Sequence, residues 1–246
     1  MSEARKSACG FALPALLVLV AASAFAAEYR VTPDAAGSGD GQSWASPMTI
    51  AEAVAAATTA GDTILLKAGN YAPTVNLAIS KPIAVKGGLA GTDDTTLDAT
   101  SPMSVFDTAN DTAVTAIFSV TTSTGGNTTN LFERIEVRNA YERGFLKTGN
   151  ASLVFRNCAF TACGTTRAAN YNGRGGSFTG NNQATLAFEN CTFARNAFTA
   201  SQLNLGYGFG AYIETWKHVS INNTLFVSNG LSSLPRPTAS TPFVAT

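Results

Sequence analysis

A repeat constrains this chain more than any other feature. Leu153-Val-Phe-Arg-Asn157-Cys158-Ala-Phe160-Thr-Ala-Cys163, Leu186-Ala-Phe-Glu-Asn190-Cys191-Thr-Phe193-Ala-Arg-Asn196 and Val219-Ser-Ile-Asn-Asn223-Thr224-Leu-Phe226-Val-Ser-Asn229 align without a gap, each 33 residues after the last. A weaker copy, Phe132 to Asn139, stands 23 residues earlier, with Arg134 where the later copies carry Asn. A unit that recurs in this way cannot bury its apolar face alone and must stack on its neighbours. Helical repeats share a period of this size, so the local pattern has to decide. Leu153 and Phe155, Leu186 and Phe188, and Val219 and Ile221 alternate with polar residues, the two-residue period of a strand with one buried face. A second element, seen at Gly144-Phe145-Leu146, Gly175 to Phe178 and Gly208 to Ile213, recurs between these blocks, so each unit holds at least two strands. The expectation is an all-β solenoid whose coils pair in parallel about 4.8 Å apart. Equivalent residues then form ladders: an inner asparagine ladder of Asn157, Asn190 and Asn223, and a core column of Phe160, Phe193 and Phe226.

Composition agrees with turn-rich β architecture. Only 13% of the 246 residues are charged and 22 are glycine, which excludes a coiled coil or a charged helical bundle. Sixteen basic residues balance sixteen acidic ones, with no Lys or Arg run, so the electrostatic footprint of a nucleic-acid binder is missing. Arg5 and Lys6 precede an apolar stretch from Phe11 to Ala27 that closes on Ala24-Phe25-Ala26, the pattern of a secretory signal peptide over residues 1–26. A retained membrane anchor is the competing reading of that stretch, and no other segment is apolar enough to span a bilayer. Removal takes Cys9 away and leaves Cys158, Cys163 and Cys191, an odd number that argues against a disulfide framework.

Residues 27–61 read as an N-terminal cap. Tyr29 to Val31 forms a short strand, and a glycine-rich loop follows up to Trp44. Thr49 and Glu52 then make a capping box for a helix with Ile50, Val54 and Ala57 on one face. A solenoid's first coil exposes apolar core, which a short amphipathic helix can cover. Residues 62–230 form the coils, about seven to nine of them, and residues 231–246, with Pro235, Pro237 and Pro242, read as a tail that cannot add a core strand.

Tyr29-x-Val-x-Pro33-Asp34, Gly39-Asp40-Gly41-x-Ser43-Trp44-Ala45, Ala60-Gly61-Asp62-Thr63-Ile64 and Ala68-Gly69-x-Tyr71 resemble the opening of secreted right-handed parallel β-helix proteins of the pectin-lyase-like superfamily. The Gly-Gly-x-Phe and Phe-x-x-Asn elements at 175–178, 193–196 and 226–229 are similar to repeats of polymorphic outer-membrane proteins on bacterial surfaces. The first resemblance implies a right-handed parallel β-helix. It also implies a place to look for polysaccharide lyase or glycoside hydrolase chemistry: clustered carboxylates on one sheet face, with Ca²⁺ and a basic residue in lyases, or paired acids in hydrolases.

The chain offers little that fits. Beyond Asp111 the acids are Glu133, Glu136, Glu142, Glu189 and Glu214, with no aspartate. Glu133 and Glu189 share a register with Arg156 between them, which reads either as a catalytic pair with a base or as an exposed ladder of alternating charge. Asp93, Asp94 and Asp98 are candidate Ca²⁺ donors in a loop, as are Asp34, Asp40 and Asp62, without EF-hand spacing. Trp216, Lys217 and His218, the sole histidine, form either a sugar-stacking patch or an ordinary exposed loop. Cys158 and Cys191 occupy equivalent positions one coil apart, close enough for a disulfide or for a stacked pair of thiols with Thr224 continuing the column. Asn110, Asn127, Asn150, Asn190 and Asn222 begin Asn-x-Ser/Thr triplets, read here as composition. The functional expectation is a secreted or cell-surface β-helix acting as a non-catalytic scaffold or adhesin-like surface for glycans or proteins, without cofactor, either monomeric or continued in a longer chain. The alternatives are a carbohydrate-active enzyme, or the N-terminal part of an autotransporter-like surface protein.

Overall fold

The computed structural model describes residues 26–100, 102–123, 127–164, 173–198 and 208–231. The predicted leader and tail lie outside them, apart from Ala26 and Leu231. Three parallel sheets wind into a parallel β-helix. Sheet A stacks seven strands: β1 (Glu28–Val31), β2 (Thr63–Lys67), β5 (Ala84–Leu89), β8 (Thr129–Glu133), β11 (Ser152–Arg156), β14 (Thr185–Glu189) and β18 (His218–Asn222). Sheet B stacks β3 (Gly69–Tyr71), β6 (Ser104–Asp107), β9 (Ile135–Arg138), β12 (Ala159–Thr161), β15 (Thr192–Ala194) and β19 (Leu225–Val227). Sheet C stacks β4 (Leu77–Ile79), β7 (Ala116–Val120), β10 (Arg143–Lys147), β13 (Gly176–Thr179) and β17 (Ala211–Glu214). The short strands β16 (Ala197–Phe198) and β20 (Gly230–Leu231) pair beside them. Right-handed winding is the hand that parallel crossovers adopt almost without exception.

Each full coil therefore holds three strands, because the eleven-residue block bends into two. The bends are made by residues in the left-handed region: Arg134, Asn157, Asn190 and Asn223 at the A-to-B corner, with φ of 52°, 54°, 55° and 47°. Asn tolerates that region better than other residues with a Cβ, which is why it recurs there. A second corner follows sheet B at Asn139, Ala162, Arg195 and Ser228, with φ between 49° and 55°.

Inward side chains form columns in the predicted register. Sheet A contributes Ile64, Val85, Phe132, Phe155, Phe188 and Ile221, and sheet B contributes Tyr71, Phe106, Val137, Phe160, Phe193 and Phe226. The rings of Phe160 and Phe193 stack at 4.5 Å and 8°, those of Phe193 and Phe226 at 4.8 Å and 3°, and those of Phe155 and Phe188 at 5.3 Å and 5°. Perpendicular contacts such as Phe145 to Phe155, at 4.9 Å and 84°, join one sheet's column to the next. Each such pair adds about 1 kcal/mol beyond the burial of its area. In sheet C the column passes from Phe145 to Gly176, where a Cβ would lie 2.2 Å from Cζ of Phe178. Glycine there leaves room for the Phe178 ring.

The N-terminal end of the core is closed by helix α1 (Ile50–Ala56), with both halves of the Thr49/Glu52 capping box formed. Its buried face is Ile50, Ala53 and Ala57, with Val54 only half-buried, so Ala53 takes the place expected for Val54. Tyr29 Oη donates to the Ala56 carbonyl at 3.1 Å, and buried Asp62 accepts from the Ala27 and Thr59 amides.

Candidate functional site

The expected ladder of charge lies on the outer face of sheet A. Lys86, Glu133, Arg156, Glu189 and Asn222 occupy one register position on successive coils. Arg156 Nε donates to Glu189 Oε2 at 2.7 Å, while Glu133 turns to Arg134, with 2.6 Å between Oε1 and the guanidinium. The two glutamates sit two coils apart, about 9.6 Å between their Cα atoms, and Arg156 stands between them. Each carboxylate is held by its own arginine. Beside this row runs a second of Leu131, Val154, Ala187 and Ser220, and beyond it a third of Thr129, Ser152, Thr185 and His218. Ser152 Oγ accepts from the Thr185 amide at 3.0 Å, joining two coils of the hydroxyl row. The face continues in register from coil to coil.

The aspartates do not converge. Asp93 accepts from the backbone amides of Thr95 and Thr96, and these bonds, that from the Thr96 amide foremost, hold its carboxyl far below the usual carboxylate range. Asp94 instead pairs with Arg30 and accepts from Trp44 Nε1 at 3.0 Å, so the glycine-rich loop and the 90–98 turn are tied together over β1. The Arg30 bond lowers the Asp94 pKa. Asp98 accepts from the Thr100 amide at 2.8 Å and from its hydroxyl. These are turn and ion-pair roles, and among the described residues no group of three His, Cys, Asp or Glu side chains is arranged to hold a metal ion.

Trp216 is not an open sugar platform. Its ring covers Gly180, where a Cβ would come within 2.6 Å, and its Nε1 donates to the Phe178 carbonyl at 3.0 Å. Lys217 and His218 are exposed beside it. Cys158 and Cys191 are stacked, buried and unbridged; the Cys158 thiol donates to the Phe132 and Arg156 carbonyls and the Cys191 thiol to those of Phe155 and Glu189. Burial pushes the Cys158 thiol well above its ordinary range and Cys163 up to about 12.

Asn157, Asn190 and Asn223 form a ladder, with Asn190 Nδ2 donating to Asn157 Oδ1 at 3.3 Å and Asn223 Nδ2 to Asn190 Oδ1 at 2.8 Å. The ladder is exposed, however, and not in the core: a left-handed corner residue points its side chain away from the turn it makes. The inner ladder is Asn196 with Asn229. Asn196 is fully buried; its Oδ1 accepts from the Cys163 amide at 3.0 Å, and its Nδ2 donates to the Phe160 carbonyl at 2.9 Å and to Asn229 Oδ1 at 3.0 Å. Both residues end their repeat blocks, so the alignment that singled out Asn190 also contained them.

Another residue that sequence reading passes over is Lys147. It lies fully buried in the sheet C column between Val120 and Phe178. Its Nζ donates to the Thr148 and Gly149 carbonyls at 2.7 and 2.9 Å and sits 5.7 Å from the Trp216 ring. Burial lowers its pKa to about 8. A cavity beneath the Phe132, Phe145, Phe155 and Phe160 rings is walled by core side chains and holds no space for water.

No protein-family model matches the chain, and no curated protein matches it. Among solved structures it is similar to a pectate lyase, Pel9A, at 16% identity over 88% of this chain and 82% of that one, with a TM-score of 0.42. No helix among the described residues is long and apolar enough to cross a membrane.

Proposed function

We propose that this chain is a non-catalytic β-helical scaffold, exported to the cell surface or beyond, whose outer sheet A face is a repeated binding surface for extended glycans or surface proteins. The observation that carries the reading is the alignment of three different rows on that face: hydroxyls, small apolar groups and charges that neutralise one another. Each row places one side chain every ~4.8 Å, and the charged row alternates in sign from Lys86 through Glu133 and Arg156 to Glu189. A partner that is itself repetitive gains many weak contacts at once, and their sum can exceed any single site by orders of magnitude. The acids on that face are held by arginine, Glu133 by Arg134 and Glu189 by Arg156.

The test is binding of the purified chain to a panel of soluble polysaccharides and surface-protein ectodomains, by affinity electrophoresis and calorimetry. Arg156→Ala and Val154→Asp, both on the face, are expected to weaken binding at least tenfold while leaving the fold intact by circular dichroism. Undiminished binding by both variants would remove the face from the account.

A further inference from the structure

The two ends of the coil stack differ in how their edges are finished. At β1 the outer edge is taken: the Arg30 amide donates to the Gly41 carbonyl at 2.9 Å, the Met48 amide donates to the Arg30 carbonyl at 3.0 Å, and α1 lies over the core. At β18 no strand among the described residues lies on the far side. Its inward Val219 is 39% exposed, where Leu186 one coil before is at 1%, and Ile221 is half-buried where Phe188 is at 0%. Edge strands are normally protected by charge, proline or a bulge. β18, with the sequence HVSIN, has no Lys, Arg, Asp, Glu or Pro.

We infer that β18 is a self-association edge, at which two copies of this chain pair antiparallel about a two-fold axis through Ser220. Directly opposed residues in an antiparallel pair share a face, so each inward residue must meet an inward residue. Centring on Ser220 sets Val219 of one copy against Ile221 of the other, apolar on apolar, and His218 against Asn222, with no like charges opposed. Centring on Val219 instead brings Lys217 against Ile221 in the core, and centring on Ile221 brings Asn223 against Val219. Only the Ser220 register closes the core with its own apolar pair. The axis lies normal to sheet A, so inward faces stay inward and the sheet continues from one copy into the next. This is an isologous contact, which closes at two copies and does not propagate. Five residues of edge make a small contact, so weak, reversible association is expected.

Sedimentation of the full chain across a concentration series, together with Ser220→Cys under mild oxidation, tests the inference. The expected result is a reversible monomer–dimer equilibrium, an S220C dimer whose linked peptide maps 220 to 220, and at least tenfold weaker association in Val219→Lys with its circular dichroism unchanged. Val219 is exposed enough to accept that lysine without unfolding the coil. A chain that stays monomeric at every concentration overturns the inference, and if the S220C thiol is then unreactive, another segment of the chain covers the edge. Cross-links that map elsewhere, or species larger than a dimer, overturn it as well.

Discussion

Replacing Lys147 by Met should make the protein more stable, and the structure gives the size and pH dependence of the gain. The side chain stands in an apolar column between Val120 and Phe178, and its ammonium meets two backbone carbonyls and the Trp216 ring. Burial lowers its pKa from 10.5 to about 8. At about 1.4 kcal/mol per pKa unit, holding the ammonium in the fold costs roughly 3 kcal/mol at pH 7. Part of this is offset: the two carbonyl bonds and the Trp216 ring are lost in the variant, although the carbonyls belong to the exposed or half-exposed Thr148 and Gly149 and can turn to water. Met fills similar volume and adapts to irregular packing. The net gain is about 2 kcal/mol. Its sign with pH follows from linkage. Below about pH 8 both folded and unfolded chains carry the proton, and the full penalty applies. Between about 8 and 10.5 the folded lysine loses its proton first, so the wild-type chain gains stability relative to the variant and the gap closes. Urea unfolding of both proteins at pH 7 and pH 10.5 measures this. A K147M chain that is less stable at pH 7, or a difference that does not change with pH, would refute the desolvation argument and give the lysine a net holding role at the C-to-A turn.

Further outcomes follow from the two asparagine ladders, the aromatic column and the thiols. Asn196→Ala leaves the Cys163 amide and the Phe160 carbonyl without their buried partner and should cost about 3 kcal/mol in chemical denaturation. Asn190→Gly, at an exposed corner with φ of 55°, should change stability by less than about 1 kcal/mol. Phe193→Ala opens a hole between Phe160 and Phe226 and should cost about 4 kcal/mol, lowering the melting temperature by several degrees. Cys158, Cys163 and Cys191 are buried, so a thiol reagent at pH 8 should modify them only at the rate of unfolding; fast modification in native buffer would contradict that packing.

The stacking of Phe160 on Phe193 and the Thr49/Glu52 capping box were legible because each rests on a local rule applied to side chains at fixed spacing. The mistaken placement of Asn157, Asn190 and Asn223 has a physical cause. Two-residue alternation holds within a strand but breaks at a left-handed residue: Phe155 and Cys158 both point inward though three positions apart, because Asn157 turns the chain between them. For the same reason the eleven-residue block reads as one strand and its turn, when the left-handed φ of Asn157, Asn190 and Asn223 divides it between sheets A and B; at the second corner the left-handed residues are Asn139, Ala162, Arg195 and Ser228, a mixed set with no shared side-chain signal. Lys147 was missed for a related reason. Alternation places it inward with Phe145, but a lysine is ordinarily assigned to solvent, and only the carbonyls of the turn that follows it and the Trp216 ring reveal how its charge is accommodated. The outer row of Glu133, Arg156 and Glu189 was visible from spacing alone; that Glu133 is held by Arg134 and not by Arg156 was not.

Turnover decides the central claim most directly. The purified chain, incubated with uronate-containing and neutral polysaccharides with and without Ca²⁺, is followed by absorbance of unsaturated products and by release of reducing ends. The account predicts no turnover on any of them, because the sheet A acids Glu133 and Glu189 are held in ion pairs. Product release that disappears on Glu133→Gln or Glu189→Gln would contradict it and make that row an active site.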